Sequence, residues 1–426
     1  MKEVLIISPY FPPIGGSGVY RLHRWTKYLP EFGIQPLVVH YDRLPGEPLD
    51  RSLLGELSDH VERFPVRFVE PSGRGIRAWL KRDAGDAQTV PAGGGGQGPG
   101  AVTALVGWLR DRLLIPDLSV SWLLPARAAI RKIMRERHPA AVISTYSPGA
   151  AHLLGLWVKR HYGLPWIADF RDPWTDAVVM RKRFWPLSAL EGRMERSVVL
   201  KADRVTVYSE GLGELLWKKI GATRPEKFLS LGPAVDTDKF DRVPASDRKY
   251  DFLYTGALED YYPLEFFFAL EQVNERRQAS GERPLRAGIA GKTGARLRQT
   301  LERFTRPGWL DLLGYLPHRE ALALLKSARC LVLLHTEQGW WVPGKVAEYL
   351  YSGKPVLAVV GEGELKEMLA KFDRVMFGPD ERGQLAGLLE QASALKDSPR
   401  RIPKELTARG QAGRIAELVE TMSERR

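Results

Sequence analysis

Short apolar runs alternate with longer amphipathic stretches along most of this chain, the pattern of an α/β fold whose parallel strands are buried on both faces. Val4–Ser8 reads as the first strand, because its apolar residues are consecutive rather than alternating. A Pro- and Gly-rich turn follows. Leu22, Trp25 and Leu29 then fall on one helical face, and Pro30 and Gly33 end that helix. Pro36–His40, Ala140–Ser144, Trp166–Asp169, Arg204–Tyr208 and Lys227–Leu231 read as further strands, with a helix over 150–162 and a Ser209-capped helix among them. The periodicity lapses over Asp236–Lys249, and a second strand-helix series opens at Tyr250. It continues through Arg286–Ala290, Leu310–Leu313, Leu331–Leu334, Val356–Val360 and Val375–Phe377. We therefore expect two α/β domains, residues 1–240 and 250–405. A last amphipathic helix over 406–426, carrying Ile415, Leu418, Val419 and Met422, could return to the first domain.

Two segments depart from this pattern. Between 82 and 100 the chain is of low complexity, ending in Ala92–Gly100, and reads as a mobile surface loop because it has too little to bury. Ala101–Met134 mixes Trp108 and Trp122 with Arg110, Arg112, Arg127 and Arg131. It reads either as core-packed helices or as a basic, Trp-bearing face on an anionic membrane.

Charge sharpens the second possibility. The 426 residues carry 63 Lys and Arg against 51 Asp and Glu, a net +12, which suits an anionic partner. Nucleic acid is not expected, since no recognition motif or basic helix with interleaved aromatics is present. The lone Cys330 excludes a disulfide framework and reads as a buried strand thiol. The N-terminus lacks an export signal, and no run of about eighteen apolar residues is long enough to span a bilayer. The expected location is cytoplasmic, with membrane contact at most peripheral, at the inner face.

Three constellations could carry chemistry. Gly15-Gly16-Ser17-Gly18 lies between the first strand and helix, where backbone N–H groups favour a phosphate or a sugar hydroxyl; a purely structural turn is the alternative. It is not the dinucleotide fingerprint. Asp169-Phe170-Arg171-Asp172-Pro173-Trp174 puts two carboxylates, a guanidinium and a flat apolar ring at the carboxyl end of a buried strand, where ligands of open α/β sheets bind. A structural Asp–Arg pair is the competing explanation. In the third, Pro343-Gly344 opens a helix with Lys345 in its first turn, a cation out of place against a positive helix end unless an anion sits there. Glu348 follows on the same helix and could take a ribose diol in two hydrogen bonds.

At these residues the chain resembles the nucleotide-sugar-dependent, retaining glycosyltransferases of family 4. The likeness runs in order from the Gly-rich loop through Ala168–Trp174 and Gly314-Tyr315-Leu316-Pro317 to Gly344–Pro355. It implies two Rossmann-like domains facing a central cleft, the GT-B architecture, with the acceptor on the first and the nucleotide sugar on the second. It also implies a hexosyltransferase type of reaction that needs no metal or other cofactor. Glu348 matches the ribose-binding glutamate, and the backbone at Leu316 matches the base-binding loop.

Three positions depart from the family pattern. Trp340 stands where a sugar-holding glutamate is usual, and Glu337 is the nearest substitute. No basic pair follows the first strand of the second domain, so the diphosphate charge falls to Lys345, to Lys292 and to Arg171. Arg171-Asp172 replaces the usual His-Asp. Asp236-x-Asp238 is read as linker rather than as a metal site. The resulting expectation is transfer of a sugar from a nucleoside diphosphate to an acceptor hydroxyl, in polysaccharide or glycolipid assembly. Asp169, Arg171 and Asp172 serve the acceptor side; Lys292, Leu316, Glu337, Gly344, Lys345 and Glu348 serve the donor. A non-catalytic nucleotide-sugar binder and a GT-B-type epimerase are the alternatives.

Overall fold

A computed structural model describes residues 1–16, 18–44, 49–70, 113–176, 184–221, 226–260, 262–335, 341–378 and 382–424. The chain divides into two compact units. The first comprises Met1–Tyr208, Leu212–Leu231 and Ala412–Arg426; the second comprises Ser209–Gly211 and Gly232–Gln411. The Gly-rich segment 82–100, with Trp108, Arg110 and Arg112, lies outside the described residues, as do Ser17, Glu337 and Trp340.

The first unit is built on a parallel sheet of seven strands: β1 (Lys2–Ile7), β2 (Ile34–Tyr41), β3 (Glu62–Val66), β4 (Ala141–Tyr146), β5 (Trp166–Phe170), β6 (Arg204–Val207) and β7 (Phe228–Ser230). Their order is β3-β2-β1-β4-β5-β6-β7, with every pair parallel. The order reverses between β1 and β4, because the chain leaves for one edge through β2 and β3 before returning to pair β4 with β1. Such a switch point leaves a crevice at the strand carboxyl ends. The strands β4 and β5 are buried throughout and β1 from Val4 onward, which is why they read as apolar runs. The edge strand β3 alternates in exposure and contains Pro65, so it carries no such run and escapes the pattern.

The second unit has six parallel strands: β8 (Phe252–Thr255), β9 (Ala287–Ala290), β10 (Leu310–Gly314), β11 (Cys330–Leu334), β12 (Val356–Val359) and β13 (Val375–Phe377). They lie in the order β10-β9-β8-β11-β12-β13, with its own reversal between β8 and β11. Both sheets are therefore doubly wound, Rossmann-like α/β layers. Cys330 is buried in β11 as expected, and burial pushes its thiol up to about 12.

Two expectations are corrected here. Trp122 is wholly buried, edge-on to Tyr41, so it cannot rest on a membrane; the core-packed reading holds at this position. Arg127 and Arg131, on the helix Leu123–Glu136, lie over the Trp157 ring at 5.5 and 5.6 Å. Asp236–Lys249 is not aperiodic throughout. Asp236 caps a short helix, Thr237–Arg242, by accepting from Lys239 N–H at 3.0 Å, and Asp238 pairs with Arg409 at 2.8 Å. Both carboxylates of the D-x-D thus have structural partners.

Candidate active site

In the first unit the strand ends bring two of the three motifs together. Arg171, just past β5, donates to the carbonyl of Gly18, and a side chain at Gly18 would press on its guanidinium. The Gly15–Gly18 turn is thereby tied to the Asp-Phe-Arg-Asp segment. Gly16 holds φ +94, the left-handed region in which glycine is favoured. Asp172 lies 3.7 Å from Arg171 Nε and keeps 54% of its side chain exposed, so its carboxylate faces solvent at the strand end.

Asp169 does not share that role. It has no exposed surface, and its oxygens accept from Arg21 Nε and Nη2, Thr145 Oγ1 and Thr206 Oγ1 at 2.7–3.2 Å. Arg21 also donates to Leu231 O at 2.6 Å and stacks on Trp25. A carboxylate saturated by four donor atoms inside the core holds β4, β5, β6 and the first helix together; it has nothing to offer a substrate. Trp174 is corrected in the same way. It is 2% exposed, lies 5.5 Å from the Tyr146 ring and donates from Nε1 to Glu191 at 3.1 Å, so its face is not open to a sugar.

The second unit places Lys292, Leu316, Gly344, Lys345 and Glu348, all expected to serve a donor, beyond the carboxyl ends of β9, β10 and β11. Lys345 is not exposed. It sits at the N-cap of the seven-residue helix Val346–Ser352, half-buried, with Nζ 3.3 Å from the centre of the Tyr254 ring. Its ammonium lies beside Gly256, which has φ +110, the left-handed region that favours glycine. So short a helix adds little dipole; the aromatic face positions the cation instead. Burial pushes the Lys345 amine well below the usual lysine range.

Gly291, at the end of β9, packs so closely on the Gly256 carbonyl that any Cβ would collide with it, and Lys292 follows with its side chain exposed. Tyr349 joins the short helix to β8, its hydroxyl oxygen accepting from Thr255 N–H at 2.8 Å. Glu348 is 8% exposed, and His318 Nε2 donates to its Oε1 at 3.0 Å. His318 opens the helix His318–Ser327 directly after the half-buried Leu316. Gly344 is exposed. His335, at the end of β11, is 4% exposed and bonds Trp341 O through Nε2; burial and the nearby Lys345 hold its pKa down to about 4, so it is neutral at pH 7.

The sequence singles out Lys345 and Glu348; the structure sets Tyr254 and His335 near Lys345, and His318 against Glu348, and Tyr349 ties the short helix to β8. Tyr254 and His335 read as strand residues, and only their position at strand carboxyl ends could have marked them. No basic pair follows β8; the exposed Asp260 there accepts from Leu297 N–H at 2.9 Å, in the first turn of the helix Ala295–Thr305.

Residues 80–239 match the model of the family described as Glycosyltransferase Family 4. That match covers less than half of the chain. Most of the matched segment lies in the first unit, with Arg171 and Asp172 inside it. A search of curated proteins gives no match. Over the whole chain, the fold is similar to sucrose-phosphate synthase from Thermosynechococcus elongatus, at TM-score 0.56 and 13% identity, covering 100% of this chain and 97% of that one. It is also similar to WaaG, a glycosyltransferase involved in lipopolysaccharide biosynthesis, at TM-score 0.51 and 14% identity over 99% and 98% of the two chains. A putative UDP-N-acetylglucosamine 2-epimerase from Listeria monocytogenes shares it at TM-score 0.53 and 10% identity, over 100% and 97%. At these identities the likeness is one of fold, and the fold alone does not separate transfer from epimerisation.

Proposed function

We propose that this protein moves a sugar from a nucleoside diphosphate donor to an acceptor hydroxyl, with retention at the transferred carbon. The observation that carries the reading is the cluster in the second unit: a lysine ammonium held on Tyr254 beside the Gly256 turn, with a buried carboxylate one helical turn away. A cation suits a diphosphate and a carboxylate suits a ribose diol. Departure of the diphosphate develops negative charge, and Lys345, with Lys292 reaching in from its exposed position, offsets it. Burial lowers the Lys345 pKa, and an arriving diphosphate favours its charged form.

Asp172, the solvent-facing carboxylate of the matched segment, receives the acceptor hydroxyl, and Arg171 orients it. The leaving phosphate itself takes the acceptor proton, so no protein nucleophile is required. The reaction has no metal step in this reading, and a chelator leaves turnover unchanged. The acceptor is lipid-linked and lies at an anionic membrane. The net charge of +12 supports this, as do the exposed rings of Trp185, 82% exposed, and Phe184, 43% exposed.

Incubation with a panel of nucleotide sugars, with and without acceptor lipids, tests the proposal by nucleotide release. Acceptor-dependent release supports transfer. Binding without release points to a non-catalytic binder, and a changed sugar epimer without transfer points to an epimerase.

A further inference from the structure

We infer that His318 is a positioning residue for the donor nucleotide: through its bond to Glu348 it couples the base-binding loop to the ribose-binding carboxylate and sets the preference for a ribonucleotide. The inference rests on the donor reading of the second unit. Its basis is the 3.0 Å contact between His318 Nε2 and Glu348 Oε1, made by two side chains that are 15% and 10% exposed. His318 is the first residue of its helix and follows Leu316 and Pro317, so its backbone moves with the loop after β10. Gly314, at φ +68, makes the turn that leads into that loop. Glu348 lies on the short helix tied to β8 through Tyr349.

One hydrogen bond therefore joins two elements that would each touch a different part of one nucleotide, the base and the sugar. An ionised carboxylate has about four acceptor sites, so engagement of Oε1 by an imidazole N–H fixes the plane of the carboxylate and still leaves capacity for a diol. The bond also places a donor against a carboxylate that is largely removed from water, where an unbonded negative charge would be costly. Without it the Glu348 carboxylate loses this hold on its orientation and discriminates poorly between a ribose and a deoxyribose.

Calorimetric titration tests this with uridine, guanosine and adenosine diphosphates and their 2′-deoxy counterparts. The wild-type protein is expected to bind its preferred ribonucleotide more tightly than the deoxy form. His318→Ala is expected to weaken ribonucleotide binding about 10-fold, the usual consequence of losing a hydrogen bond to a charged group, and to leave deoxynucleotide binding nearly unchanged. His318→Gln, whose amide reaches as Nε2 does, restores the ribose preference, and the rise in donor KM in His318→Ala exceeds any fall in kcat. If Glu348→Ala loses the preference while His318→Ala keeps it, the inference is overturned and the donor reading stands. If His318→Gln binds as poorly as His318→Ala, the Nε2 bond is not the cause and the inference is again overturned. If the wild-type protein binds no nucleotide in the panel, the donor reading falls and the inference with it.

Discussion

At the scale of single residues, charge and burial separate groups that look alike in the sequence. Lys345 is a cation held at a cost, since desolvation outweighs the attraction of the Tyr254 ring and drives its pKa down. The unfolded chain then binds the proton more tightly than the folded one, so this residue lowers stability below the ordinary lysine pKa of about 10.4 and the penalty fades as pH rises toward it. Lys345→Met should leave the melting temperature equal or higher at pH 7 while turnover falls on the order of 10²–10³-fold. A melting temperature that drops along with activity would show instead that the lysine is structural. Asp169 is the reverse case. Asp169→Ala leaves the Arg21 charge buried and unpaired, which should destabilise the fold by about 3–5 kcal/mol in denaturant unfolding. Activity per folded molecule should survive, whereas Asp172→Asn should lose transfer with stability unchanged.

At the scale of elements, two large rings and two glycines decide how the helix Gly149–Tyr162 lies on its sheet. A Cβ at Gly149 would come within 2.4 Å of the Trp174 ring, and one at Gly155 within 2.5 Å of Trp166 Nε1. Trp166 is locked in turn by donating to Ser144 Oγ at 2.8 Å, which also bonds His152 of the same helix. Gly149→Ala should therefore cost about 1–3 kcal/mol by forcing Trp174 off its place against Tyr146, measurable as a lowered midpoint in urea. Because Asp172 precedes Trp174 by two residues, the same change should raise the acceptor KM. An unchanged midpoint would mean that the ring can move freely, contrary to its burial.

At the scale of the whole molecule, net charge and exposed aromatics bear on where the protein works. Among the described residues no helix is long and apolar enough to cross a membrane. Binding to anionic vesicles at low salt should be reversible, since each basic residue near such a surface contributes about 1 kcal/mol, and it should weaken as salt screens that attraction. Trp185→Ala should reduce co-sedimentation several-fold, while Trp122→Phe should leave it unchanged because Trp122 is internal. Vesicle binding indifferent to salt and to Trp185 would reject this surface.

The sequence by itself determined the α/β class, the two strand-helix series and the cluster around Lys345 and Glu348, because buried parallel strands must be continuously apolar and the third motif is local. The buried thiol of Cys330 was legible for the same reason. Only the tertiary structure decided which polar groups in the motifs are spoken for. Asp169 and Asp172 stand three residues apart and look equivalent, yet Arg21, 148 residues away in sequence, saturates the first and leaves the second to solvent. The partners that make Trp174 structural, Tyr146 and Glu191, come likewise from other elements. His318 and Glu348, 30 residues apart, meet only because the helices that begin near β10 and β11 converge. Periodicity records which face of an element is buried; it carries no information about which distant side chain will fill a hydrogen-bonding valence there.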